Sequence, residues 1–120
     1  MRDSASRVRQ SFAPRAFSAR YGGTAVATPF EEARRTSRWG VCTGAGASSS
    51  TIREARDRGI DTIVVGEGPH HTAIEARDAG IVVVYAGHYA TETLGVRALG
   101  DALATRFGIE ASFIDVPTGL

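Results

Sequence analysis

DTIVVG (61–66) and IVVVYA (81–86) decide how this chain folds. Each is a short run of β-branched apolar residues, the composition of a buried strand. Between them, EGPHH (67–71) reads as a turn and TAIEARDAG (72–80) as a short helix ending at Gly80. Upstream lie a strand candidate, WGVCT (39–43), and a glycine-rich turn, GAGASSS (44–50). A short polar helix follows, TIREARDRG (51–59), with Thr51 as its N-cap and Gly59 as its stop. Downstream, AGHYATE (86–92) turns the IVVVYA strand into a longer helix running to about Phe107. On that helix Val96, Leu99, Leu103 and Phe107 recur at three- and four-residue spacing, one stripe predicted to be buried. Gly108 ends the helix, and ASFIDV (111–116) reads as a last strand.

The order β-α-β-α-β-α-β predicts an α/β fold, a mainly parallel sheet with helices against it. Right-handed crossovers put the strand C-termini on one edge, where open α/β sheets hold their ligands. The notable polar residues fall on that edge: the turn after Thr43, the Glu67–His71 turn, and the stretch from His88 to Glu92.

The chain has 120 residues, 42% of them hydrophobic and 22% charged, which fits one globular domain rather than a disordered or fibrous chain. No apolar run approaches the length of a membrane span. The single cysteine, Cys42, excludes an internal disulfide and a Cys-x-x-Cys metal knuckle, and reads as a small buried hydrophobe. Net charge is +1 but unevenly spread: residues 1–38 carry eight Arg and three acids, residues 39–120 six Arg and ten acids. The expected organisation is therefore a basic, disordered N-terminal segment over 1–38 and an α/β unit over 39–120. Residues 1–23, rich in Arg, Ser and Ala, have the composition of a disordered tail, an organellar transit peptide or a basic nucleic-acid arm. No secretory apolar block is present, and a cytoplasmic location is expected, with neither membrane nor specific nucleic-acid partners.

Three constellations on the predicted edge carry chemistry. His88 and Glu92 lie four apart at a helix start, so both side chains can project one turn apart from one face. They could share a divalent metal, or form an ordinary pairing of a helix-start carboxylate with a partly buried histidine; two ligands do not by themselves make a site. His70 and His71, behind Glu67, are acid/base or ligand candidates, or an exposed pair opening a helix. Gly44, Gly46 and Ser48 belong to a strand-to-helix turn whose amides could cradle phosphate, or which is simply tight and Ser-capped. Asp115, near the end of the last strand candidate, could border the same pocket or cap a turn.

VCTGAGAS (41–48), GEGPHHTA (66–73), AGHYATETLGV (86–96) and FIDVPTGL (113–120), in this order and spacing, resemble the C-terminal half of the NIF-three-like family. These are the dinuclear-metal-centre, hexameric proteins labelled type 2 homologues of GTP cyclohydrolase I. The resemblance covers about residues 39–120. It implies an α/β unit that is half of a larger bipartite fold, assembly into a homo-hexamer, and two divalent ions per site (Zn, Fe, Mn or Mg). It implies His88 and Glu92 as metal ligands and places Glu67, His70 and His71 beside the pocket. There His70 or His71 would shuttle protons and Glu67 would orient them, in hydrolysis of a nucleotide or related C–N bond. The family's other ligands, a His pair and an Asp, come from an N-terminal half. Residues 1–38 hold no His and only Asp3, although TPFEE (28–32) resembles the family's middle segment. The expectation is a truncated member, inactive alone, that binds metal weakly or acts as a non-catalytic assembly module, with phosphate binding at the 44–49 turn as the alternative.

Overall fold

The computed structural model describes residues 25–31 and 33–117. The readings of residues 1–23 and of Asp3 fall outside them. The elements are β1 (Val26–Ala27), β2 (Trp39–Cys42), α1 (Ser49–Asp57), β3 (Thr62–Val65), α2 (His70–Asp78), β4 (Val82–Tyr85) and α3 (His88–Phe107). The four strands form one sheet in the order β1-β4-β3-β2. β2, β3 and β4 run parallel, with Cys42 opposite Val65 and Val65 opposite Tyr85, so their C-terminal ends share one edge.

The two β-branched runs form buried strands, as predicted, and they occupy the middle of the sheet. Ile63, Val65, Ile81 and Val83 face α1 and α2, and their core is closed by Ala47, Ile52, Ala55 and Ala76. Val65, Val83 and Ala76 are wholly enclosed. Small residues on the helices bring them close to the sheet, and burial of these branched side chains supplies the main stabilisation.

Four readings are corrected. First, the folded unit takes in residues before Trp39. β1 pairs antiparallel with β4, and the next residue, Thr28, extends the pairing. Its amide donates to Val83 O (2.9 Å), and its buried hydroxyl accepts the Val83 amide (3.0 Å). Further on, the Asp61 carboxylate accepts hydrogen bonds from the Ser37 amide and hydroxyl and from the Arg38 amide. Arg34 donates to the Asp61 and Gly80 carbonyls. A two-residue strand leaves no periodic signal in the sequence, and most of these ties run through the main chain.

Second, α1 is capped by Ser48, whose hydroxyl accepts the Thr51 amide at 3.1 Å, so the helix begins ahead of the predicted Thr51 cap. Third, Cys42 is exposed, because β2 is an edge strand. Fourth, ASFIDV forms no strand, and the α3 stripe is uncovered: Val96, Leu99 and Phe107 are each more than half exposed. Residues 111–116 instead run back along α3. Phe113 lies under the Arg97 guanidinium, 3.8 Å from its ring centre, and Asp115 accepts the Tyr89 hydroxyl at 2.7 Å. The apolar period was real, but among the described residues no partner layer covers it.

Candidate functional site

Three chain segments meet at the C-terminal edge of the sheet: the turn after β2, the turn after β3, and the first turn and a half of α3. Gly44 has φ +63°, a left-handed conformation in which a side chain is strained. Its carbonyl accepts the Glu67 amide (2.8 Å), and the Ala47 amide returns to the Glu67 carbonyl (3.1 Å), so the two turns are stitched together. The Gly44 amide donates to Thr91 Oγ1 at 3.0 Å, which ties α3 to the same place.

His88 lies between two carboxylates. Its Nδ1 is 2.8 Å from Glu67 Oε1 and its Nε2 is 3.2 Å from Glu92 Oε1. An ionised carboxylate only accepts, so the short Glu67 contact assigns the ring proton to Nδ1. In the neutral ring Nε2 then presents a lone pair to the Glu92 oxygen. Two such donors repel unless a proton or another cation lies between them. The hydrogen bond to Glu67, opposed by partial desolvation and aided by the charge of Glu92, accordingly raises the His88 pKa above its ordinary value.

Directly beneath these donors Gly44 has no side chain. A Cβ built there would stand 2.5 Å from Glu92 Oε1 and 3.1 Å from His88 Nε2. The two donors therefore pack directly against the Gly44 main chain, an approach that only glycine permits. Two ligands at zinc-like bond lengths and a tetrahedral angle lie roughly 3.3 Å apart. The 3.2 Å between Nε2 and Oε1 matches that edge. At that separation His88 Nε2 and Glu92 Oε1 could hold one divalent ion, as they could equally hold a proton, with Glu67 bonded to the other ring nitrogen. Among the described residues no group of three or more His, Cys, Asp or Glu side chains could hold a metal by itself.

Glu67, His88, Glu92 and Gly44 are thus brought together. The partner of Glu67 is His88 rather than the histidines that follow it in the chain. His70 and His71 are exposed on the first turn of α2, on the same edge, with no hydrogen bond linking them to His88. Gly46 lies close against the β2 main chain, where an added Cβ would meet the Cys42 carbonyl. Ser48 caps α1. With the Gly44 and Ala47 amides also donated within the protein, much of the turn's hydrogen-bonding capacity is directed inward. The Tyr89 hydroxyl donates to Asp115, so these two side chains pair with one another. Two further features carried no sequence signal. Thr91 is buried by tertiary contact alone, and Gly66 leaves room for it against Gly44.

A mainly parallel α/β sheet with an imidazole and two carboxylates at its strand-end edge defines the class, an α/β protein with a polar rim. Within that class the chain belongs to the Duf34/NIF3 (NGG1p interacting factor 3) family, whose model matches residues 3–119. It is 54% identical over 80 residues to the GTP cyclohydrolase 1 type 2 homolog of Halobacterium salinarum, an overlap covering 67% of this chain and 30% of that protein. The corresponding homolog of Archaeoglobus fulgidus is 36% identical over 98 residues, covering 82% of this chain and 39% of that protein. Among solved structures, protein ybgI, described as of unknown function, superposes with a TM-score of 0.73 at 33% identity, covering 88% of this chain and 42% of that one. The chain therefore spans well under half the length of these relatives. No helix among the described residues is long and apolar enough to cross a membrane.

Proposed function

We propose that this chain supplies one edge of a divalent-metal site, with His88 Nε2 and Glu92 as ligands and Glu67 holding the imidazole from behind. The observation that carries the reading is the convergence of a ring nitrogen and a carboxylate oxygen, 3.2 Å apart, over a glycine. An imidazole with carboxylates suits zinc, iron or manganese better than magnesium, which prefers an all-oxygen shell.

A catalytic zinc normally takes three protein ligands. The remaining donors would come from protein beyond the described residues: another part of a longer chain, or another copy in a homo-oligomer such as a hexamer. Alone, the chain is then a metal-binding and assembly module, and catalysis belongs to the completed site. When bound, a divalent ion supplies Lewis acidity and water activation near neutral pH, and the name of the curated relatives points to hydrolysis of a guanine nucleotide or a related C–N bond. Glu67 keeps the ring proton on Nδ1, so that Nε2 stays available. Glu92 contributes negative charge. His70 and His71, exposed on the same edge, are suited to exchanging protons with solvent.

Zinc titration by calorimetry tests this reading. Binding is expected for the wild type, absent in His88→Ala, and weakened about 10- to 100-fold in Glu67→Gln. Zinc binding unchanged by His88→Ala would refute it, and phosphate binding that survives removal of all metal would favour the Gly44–Ser49 turn instead. Metal-dependent GTP hydrolysis by the chain alone would show that the catalytic site is complete without further donors.

A further inference from the structure

The geometry points to Thr91 as the positioning residue that sets the His88–Glu92 edge above Gly44. α3 is a 20-residue helix in which Thr91 is the one buried residue, 3% exposed. Among the described residues no layer covers the apolar stripe of the rest of the helix, where Val96, Leu99 and Phe107 are more than half exposed. Its place over the sheet edge is therefore fixed near its start. Thr91 Oγ1 accepts the Gly44 amide at 3.0 Å and has the carbonyls of Gly87 and His88 at 3.0 Å, one of which takes its proton. The hydroxyl thus bridges the β2 turn and the first turn of α3, in the same turn as His88 and adjacent to Glu92.

Gly66 makes this approach possible. A Cβ there would stand 2.3 Å from the Gly44 carbonyl and 2.8 Å from Thr91 Oγ1. Two strand ends and one helix meet at this point, and the Thr91 hydroxyl lies between them. A valine at 91 would keep the shape, remove the acceptor and leave the Gly44 amide buried without a partner. A serine would keep the bridge.

The inference rests on the metal reading only for its zinc measurement, so it is tested first without metal. In wild type, the Gly44 amide is expected to be protected from hydrogen exchange. In metal-free protein, Thr91→Val should shift the His88 ring nitrogen signals in NMR spectra, whereas Thr91→Ser should preserve them. Zinc affinity should fall about 10- to 100-fold in Thr91→Val and by less than about threefold in Thr91→Ser, in line with outer-sphere substitutions elsewhere. Wild-type His88 signals in a folded Thr91→Val protein would overturn the proposal. So would an unprotected Gly44 amide in wild type, a result that needs no variant to fold. Zinc that leaves the wild-type His88 signals unmoved would defeat the metal reading while leaving the positioning role to the metal-free spectra.

Discussion

Substituting Gly44 by Ala separates the chemistry of the site from the stability of the fold. Two costs are expected. The residue has φ +63°, and a non-glycine side chain in that region costs roughly 1–2 kcal/mol, a fall in Tm of roughly 5–10 °C for a unit of this size. The added methyl would also stand 2.5 Å from Glu92 Oε1 and 3.1 Å from His88 Nε2. These are the ends of movable side chains, so they yield cheaply, but in yielding they leave the geometry proposed for the metal ligands. Gly59 is the internal control: its φ is +65°, and a Cβ there meets nothing within 4 Å. Gly59→Ala should lose a similar amount of stability and leave zinc binding at wild type. Gly44→Ala should lose at least about tenfold in zinc affinity, the loss typical when a ligand is mis-set. Thermal melts and zinc calorimetry on both variants read the two costs separately. Equal zinc affinity in the two variants would refute the argument that the donors converge above Gly44.

Removing the α1 cap with Ser48→Ala should cost about 1 kcal/mol in urea unfolding, whereas Thr51→Ala, away from the true cap position, should cost less. Asp61 is held below its ordinary pKa: burial acts to raise it, but the hydroxyl and amide of Ser37, the Arg38 amide and the Thr62 hydroxyl together outweigh that effect. Its contribution is present above the unfolded value of 3.8 and is lost as the pH falls through the lower folded value. The stability difference between wild type and Asp61→Asn should therefore be constant from pH 7 to about 5 and shrink below pH 4, as measured by denaturant melts at each pH. Leu99→Glu, in the middle of the uncovered α3 stripe, should reduce self-association in sedimentation with little change in Tm, since Leu99 is 58% exposed.

The parts of the fold that could be read from sequence were those with a local physical cause. IVVVYA and DTIVVG are strands because branched apolar residues pack in the middle of a sheet, against α1 and α2. Gly108 ends α3 with the left-handed conformation expected of a helix stop, φ +63°. Distant partners were what the sequence left out. ASFIDV has the composition of a strand, yet a strand needs an edge to pair with, and here the segment lies along α3, fastened by Tyr89 and Arg97. The α3 stripe has the right period but no covering layer among the described residues. At the site, the spacing of His88 and Glu92 was legible because it is a helical repeat. That Glu67 grips His88, and that Thr91 docks on Gly44, could not be read, since 21 and 47 residues separate the partners.

The central claim is that His88 and Glu92 share one divalent ion while Glu67 holds the ring. X-ray absorption of the zinc-loaded protein tests it most directly. The account predicts nitrogen and oxygen donors at about 2.0–2.1 Å with the outer-shell scattering of a single imidazole, a signature that vanishes in His88→Ala and persists in the His70→Ala/His71→Ala double variant. Zinc surrounded only by oxygen donors, or an imidazole signature that survives loss of His88, would contradict it.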